Sequence, residues 1–443
     1  MKTRLLQYWE NFRSSFWFVP SIMAAAAALL AVAGVQLDLA LENTQVEGWW
    51  VYRGGAEGAR AVLSVVAGSM ISVAGTVFSI TIVALTLAST QFGPRLLRNF
   101  MRDTVNQSVL GVFTSTFLFC LLVLRTVRGI DDDQFVPHLS ITLGVVLAVA
   151  SLAVLIYFIH HTSVSIQVTH LISEVSRELR ETIARLYPER DDGRDLASPD
   201  AQATEPSFAE DATAAIAAQS HGYLLAIDVE RLRRIATDND ATILLGLRPG
   251  QFALEGSPLA RLSPRERVSE DIERSINQAF VWGMDRIPNQ DVECAVSQLV
   301  EIALRALSPG INDPFTAINC IDWLGDSIGF LSGRSEPSKY LNDEKGQVRV
   351  VTRPVAFGGV VDAAFNQIRQ AAHSNAAVTI RLLEVIGLLL QRGLSNDRRQ
   401  VLLDHAEMIW RGAQDALPEE WDRRDVDERC QVVQRKWSLS DGP

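Results

Sequence analysis

From Ala61 to Thr90 the chain runs for thirty residues without a charge. About 20 apolar residues are enough to cross the roughly 30 Å hydrocarbon layer of a bilayer, so this stretch predicts a membrane helix. At 1.5 Å per residue it would be about 45 Å long, and it must tilt or protrude beyond the bilayer. It is not uniformly apolar. Placed at about 100° per residue, Ser64, Gly68, Ser72, Gly75, Ser79, Thr86, Ser89 and Thr90 fall within an arc of roughly 100°, interrupted by Ile71 and Ile82. In lipid, small and hydroxyl residues let helix backbones approach and hydrogen-bond across the contact. The stripe therefore predicts packing against the protein's own bundle or another subunit, with a water-facing pore wall as the alternative.

Three further uncharged stretches of spanning length occur at Phe16 to Leu37, Val109 to Leu124 and Leu139 to His160. Nothing comparable follows His161, and 443 residues exceed one usual domain. The 48% hydrophobic content is high for a soluble chain and low for one wholly in lipid, so two compartments are implied. The expected fold is an α-helical multi-pass membrane protein with four transmembrane helices, and a cytosolic, mostly α domain that contains a small β module. Its divisions are a membrane domain over 1–162, a helical stalk over 163–189, a linker over 190–214, a β-rich module over 215–265, a helical domain over 266–425 and a tail over 426–443. Helical period in Val164, Val168, Leu171, Ile172, Val175, Leu179, Ile183 and Leu186 marks the stalk. The strand-like segments are Tyr223 to Ile227, Ala241 to Leu247 and Phe252 to Leu254, with a short helix over Val229 to Ala236. Helical runs are expected at Ser269 to Gly283, Asp291 to Leu307, Pro314 to Leu331, Val360 to Ser374, Asn375 to Gly393 and Asp397 to Ala416.

Basic residues accumulate on the cytoplasmic side of a bacterial inner membrane. Lys2, Arg4 and Arg13 precede the first span, and Arg95, Arg98 and Arg102 lie between the second and third, so both termini are expected in the cytoplasm. Lys2, Arg4 and Ala31-Val32-Ala33 resemble the ends of a signal peptide, but apolar character continues to Leu37, which favours an uncleaved anchor. Trp9, Trp17, Trp49, Trp50 and Tyr52 suit the membrane interfaces. Asp38, Glu42, Glu47, Glu57 and Asp131-Asp132-Asp133 make the outer side acidic: solvated loops, or a vestibule that gathers cations.

The net charge of −11 opposes non-specific attraction to nucleic acid, and Cys120, Cys294, Cys320 and Cys430 show no close pairing that would frame a disulfide network or a zinc site. His160, His161 and His170 span nearly three helical turns, too far apart to share one metal. No nucleophile elbow, phosphate-binding glycine loop, dinucleotide fingerprint or His-Glu-x-x-His is present, so no cofactor, metal or catalytic residue is implied.

The sharpest local string is Ser308-Pro309-Gly310-Ile311-Asn312-Asp313-Pro314-Phe315-Thr316-Ala317. Pro and Gly stop one helix, Asp313 can cap the next, and Pro314 suits its first turn. With Arg286, Gln290, Asp291, Gln298-Leu299-Val300 and Ala306-Leu307 upstream, and Gln91-Phe92-Gly93-Pro94-Arg95 after the second span, this string resembles the bacterial predicted membrane proteins grouped as domain of unknown function 2254. The resemblance covers nearly the whole chain and implies four membrane helices followed by a cytosolic domain. The chain departs from that pattern at Cys294 and Ala295, where an aromatic residue and a glycine are expected, and at Glu301 in place of an aspartate.

Asp285, Arg286, Asp291, Asn312 and Asp313 form the expected cytosolic polar site, on the premise that a short corner brings two helix ends together. It would hold a cation or other ligand, or serve as a network of caps and ion pairs. Three functions remain open at this stage: an oligomeric channel for cations with a cytosolic gating or assembly domain, a membrane-anchored scaffold or ligand sensor, and a membrane-bound hydrolase or transferase using the Asp291 and Asp313 region. Membrane lipid and further copies of the chain are the expected partners. No span carries a charge, which argues against a proton-coupled transporter.

Overall fold

The computed structural model describes residues 17–41, 52–92, 104–129, 135–165, 167–190 and 212–438. They form two compact units, divided between Gln167 and Val168. The first holds four helices long and apolar enough to cross a membrane: α1 (Phe18–Ala40), α2 (Ala56–Phe92), α3 (Thr104–Leu124) and α4 (His138–Ser165). Helices α2, α3 and α4 contain the uncharged stretches expected of them, and α1 begins at Phe18, two residues inside the expected Phe16 to Leu37, with Phe16 outside the described residues. At 1.5 Å per residue, α2 with its 37 residues is about 55 Å long.

Helix α3 packs against all three others and is the most enclosed. Its aromatics fill the space that alanines leave: Phe119 lies with Ala27 and Ala31 of α1 and Ala59, Leu63 and Ala67 of α2, while Phe113 lies with Ala74 and Val77 of α2 and Phe158 of α4. Polar groups stitch the same bundle. Thr116 and Ser151 share a buried hydrogen bond of 3.2 Å, and the Arg60 guanidinium donates to the Val127 carbonyl at 3.1 Å. Asp38, expected on an acidic outer surface, is buried instead: its carboxylate accepts from the Leu139 and Ser140 backbone N–H groups at 2.9 and 3.0 Å and from Ser140 Oγ at 2.6 Å. A carboxylate from α1 thus caps α4, as the orphan donors of a helix start require.

The second unit begins with α5 (Val168–Leu186), whose apolar stripe Leu171, Ile172, Val175, Leu179 and Ile183 is buried as its period dictates. A β-rich module follows: β1 (Ala214–Ala217), β2 (Gly222–Ile227), α6 (Val229–Asp238), β3 (Thr242–Leu245), β4 (Phe252–Ala253), β5 (Pro258–Ser263), α7 (Glu270–Asn277) and β6 (Phe280–Gly283). Helices α8 (Val292–Ala306) and α9 (Pro314–Ser332) form an antiparallel pair. Strands β7 (Tyr340–Asn342) and β8 (Val348–Val351) precede α10 (Phe357–Ala372), α11 (Ala376–Leu389), α12 (Asn396–Ala416) and α13 (Glu420–Ser438).

The strands make two sheets, ordered β1-β5-β3-β8-β7 and β4-β2-β6. Among the described residues only β3 and β8 pair in parallel, with Ile243 opposite Val350. Ile216, Leu224, Leu232, Ile243, Leu259, Ile276, Phe280 and Val350 share one core, so α6 and α7 close over the sheets. Two pieces of chain expected to be helical or irregular belong to these sheets. Phe280-Val281-Trp282-Gly283, read as the end of a helix from Ser269, leaves α7 and pairs with β2, because its aromatic and branched residues have a sheet to bury against. The hairpin β7–β8, far along the chain, completes the larger sheet. It is pinned by Arg349, whose guanidinium reaches Asp343 at 2.8 Å, Asp240 at 3.0 Å and the Ala241 carbonyl at 3.3 Å.

Candidate functional site

Ser64, Gly68, Ser72, Gly75, Ser79, Thr86 and Thr90 all lie on the exposed side of α2. The buried side is formed by Leu63, Ala67, Ala74, Val77, Thr81 and Ala84, centred roughly 150° round the helix from the stripe. Packing of the stripe against the chain's own bundle, one of the two expected forms of helix contact, is therefore not what this face does. A methyl group added at Gly68 or Gly75 would meet nothing within 4 Å. The hydroxyls are satisfied along their own helix: Ser72 donates to the Gly68 carbonyl at 2.9 Å, Ser79 to Gly75 at 2.9 Å, Thr86 to Ile82 at 2.9 Å and Thr90 to Thr86 at 3.1 Å. With the hydrogen turned inward, each oxygen presents its remaining lone-pair density outward. The side chain of Ser89 lies outside the described residues.

The expected polar cluster of the second unit is two separate sites. Asp291, 2% exposed, caps α8 by accepting from the Cys294 N–H at 2.9 Å and holds the Arg286 guanidinium in a two-pronged pair at 2.8 and 3.0 Å. Gly250, in the turn between β3 and β4, stands against that carboxylate with φ +91°, so both the backbone and the space demand glycine. Nearby, Arg248 grips both oxygens of Glu293 at 2.7 and 2.8 Å, and the Gln290 amide exchanges hydrogen bonds with the Ile227 backbone. These residues tie the sheets to the start of α8. A Pro-Gly pair such as Pro249-Gly250 is a local turn signal, whereas its partner across the fold leaves no trace in the local sequence.

Asp313 lies beyond the other end of α8, about 22 Å along its axis from Asp291 at 1.5 Å per residue. It caps α9, accepting from the Phe315 and Thr316 N–H groups at 3.1 and 3.2 Å and from Thr316 Oγ1 at 2.6 Å. The Thr316 hydroxyl and these backbone donors hold its carboxyl below the usual aspartate range. Asn312 is exposed at φ +50°, a left-handed position that asparagine tolerates. Asp285 is exposed and has no part in either site.

Two other features bear on function. A groove of about 640 Å³ runs between α5 and α9, lined by Arg177, Arg180, Trp323 and Phe330 among others. Its arginines are already partnered: Arg180 pairs with Asp326 at 2.5 Å and stacks over Phe330 at 4.5 Å, and Arg177 pairs with Glu181 at 2.8 Å. On α12, His405 is buried with Nε2 3.0 Å from Asp362, while its Nδ1 has no hydrogen-bond partner. Burial pushes its pKa below the ordinary histidine value, against the opposing pull of Asp362. A lone histidine on a helix carries no pattern that would mark it in the sequence. Among the described residues no three His, Cys, Asp or Glu side chains gather to hold a metal ion. Trp9, Trp49, Trp50, Glu42, Glu47, Asp131-Asp132-Asp133, Arg95, Arg98 and Arg102 lie outside the described residues.

Comparison with known proteins gives a consistent picture. A family model described as "Predicted membrane protein (DUF2254)" matches residues 13–387. Uncharacterized proteins of Mycobacterium bovis and Mycobacterium tuberculosis are 31% identical over 449 aligned positions, covering 98% of this chain and 84% of theirs. No solved structure matches the chain.

Proposed function

The chain belongs to this family of predicted membrane proteins, and from that premise we propose that it is an inner-membrane homo-oligomer whose α2 helices meet through the Ser/Gly face and frame a path for cations. The carrying observation is the exposure of that face on the single chain, opposite the side that packs on α3. Close approach suits it, since Gly68 and Gly75 leave open space where a neighbouring backbone could seat. The path suits cations rather than anions, because the outward-facing groups are hydroxyl oxygens whose hydrogens already bond to the helix. The arginine distribution supports cytoplasmic termini, and on this reading the second unit serves there as the gating or assembly domain. On this reading the protein catalyses no reaction.

The purified protein in a planar bilayer tests the path: cation-selective currents that change with substitutions at Ser72 or Ser79 support it. Sealed bilayers at saturating protein density would refute conduction and leave the assembly. The groove between α5 and α9 favours a second reading, a membrane-anchored sensor that takes a small ligand without transport. Retained ligand in the purified protein, together with the absence of currents, would select it.

A further inference from the structure

The corner between α8 and α9 displays two large apolar side chains, Ile311 at 49% exposure and Phe315 at 81%. It is a rigid corner, since the Asp313 N–H bonds the Ala306 carbonyl at 2.7 Å and the Asn312 N–H bonds Ser308 at 2.9 Å. Nothing in the capping chemistry calls for an apolar residue at either position: Asp313 takes only the backbone N–H of Phe315. A soluble surface gains nothing from presenting a phenyl ring on a stiff, protruding turn.

The position of the corner within its own unit says what meets it. Helix α5 runs parallel to α9, with Ser176 3.4 Å from Ser327, Arg180 on Asp326, and Arg334 donating to the Tyr187 carbonyl at 2.8 Å. Counting back from the Ser176 to Ser327 contact at 1.5 Å per residue, Val168 lies about 12 Å along α5 and Phe315 about 18 Å along α9. The corner therefore reaches at least as far as the first residue of α5, in the same direction. Val168 is in turn joined to Ser165, the last residue of the spanning helix α4, through Ile166 and Gln167 alone. Ile311 and Phe315 sit at the end of the unit where the chain arrives from the bilayer.

We propose that the α8–α9 corner is a lipid-contacting tip, with Ile311 and Phe315 seated in the headgroup and upper acyl region of the membrane. The occupant is the lipid surface itself. The inference uses the spanning character of α4 and no other part of the proposed function, so it stands whether or not the protein conducts or assembles. Two aromatic and branched anchors at a fixed tip add apolar burial in the interface and restrain the second unit against tumbling about its short connection.

The test places an environment-sensitive fluorophore on the full-length protein in lipid nanodiscs, through Phe315→Cys and, as an independent probe, Ile311→Cys. The native cysteines of the described residues are buried, and unmutated protein carried through the same labelling gives the background. Met284→Cys is the control, because Met284 is 94% exposed but precedes the opposite end of α8. The expected result is blue-shifted emission at 315 and 311 that is largely lost when the nanodisc lipid carries a nitroxide near the headgroup, with emission at 284 unchanged. Solvent-like emission at 315 and 311 without quenching would overturn the proposal. So would a blue shift that the nitroxide lipid leaves intact, which would assign the tip to a protein partner.

Discussion

The Ser/Gly face of α2 and the second unit dispose of their polar groups in opposite ways. On α2 the hydroxyls of Ser72, Ser79 and Thr86 donate back to their own helix, and the face that carries them is exposed. In the second unit, charged side chains reach across the fold. Arg334 donates to the Ala184 and Tyr187 carbonyls at the end of α5, Arg398 donates to the Ser332 and Arg334 carbonyls at the end of α9 at 3.1 Å each, and Arg392 donates to the Gly329 carbonyl at 2.8 Å. Helix ends there are closed by tertiary partners, as buried backbone groups require. The lesson is that the second unit is stabilised by contacts within one chain, while the Ser/Gly face of α2 lies exposed among the described residues.

Removing a polar group should therefore destabilise the second unit and leave the fold of α2 unmoved. The largest effect is expected at Asp291, where Asp291→Ala strips α8 of its cap and leaves the half-buried Arg286 guanidinium without its carboxylate. The cost should be about 3 kcal/mol, at the low end for a broken buried pair because Arg286 keeps some solvent. Asp291→Asn retains the cap oxygen and should lose less. Denaturant unfolding of the full-length protein in detergent reads both, and an alanine variant as stable as the parent would break the comparison.

Next comes His405. Its folded-state pKa lies below the unfolded value of 6.5 because burial disfavours the charged ring. Below that value the unfolded chain takes up a proton that the folded chain refuses, so stability falls as pH falls, by at most about 1.4 kcal/mol per pH unit from this group. Unfolding measured from neutral pH down to the onset of carboxylate titration should show that slope, and His405→Leu should flatten it. An unchanged slope in the variant would remove His405 as its source.

A smaller effect is expected at the half-buried cap of α9. Asp313→Ala should cost about 1 kcal/mol, while Asn and Ser, which keep an acceptor oxygen, should be nearly neutral. If the carboxylate instead binds a cation or acts as a base, Ser fails as badly as Ala in any functional assay. Loss of function in the stable Asn variant would turn this corner from a cap into a site.

What the sequence disclosed follows the same division. The membrane helices, α8 through α12 and the cap at Asp313 were legible because each is encoded locally, by uncharged length, by helical period or by an N-cap followed by Pro314. The stripe on α2 was legible as a stripe. Its exposure was not, since the buried side of α2 is lined by alanines whose partners are phenylalanines on α3 and α4. Asp38 read as a surface acid because its partners at 139 and 140 are about a hundred residues away. The hairpin at 340–351 had a local signal, alternating Val348-Arg349-Val350 after the Lys345-Gly346 turn, but its parallel pairing with β3 is a long-range fact. Asp291 and Asp313 make one cluster only on the premise of a short corner, whereas the helical period from Asp291 to Leu307 already sets them at opposite ends of a 15-residue helix.

The central claim is that the exposed Ser/Gly face of α2 is where copies of the chain meet, and subunit mass in native lipid particles tests it most directly. Gly75→Leu and Ser79→Leu fill space that is open on the single chain, so they should leave the fold intact while blocking close approach. Ile80→Phe, also exposed but about 100° further round the helix from Ser79, should leave assembly unchanged. The account predicts parent and Ile80→Phe particles of several subunits, and Gly75→Leu and Ser79→Leu particles of reduced mass. Equal masses for all four proteins would contradict it and return this face to the lipid.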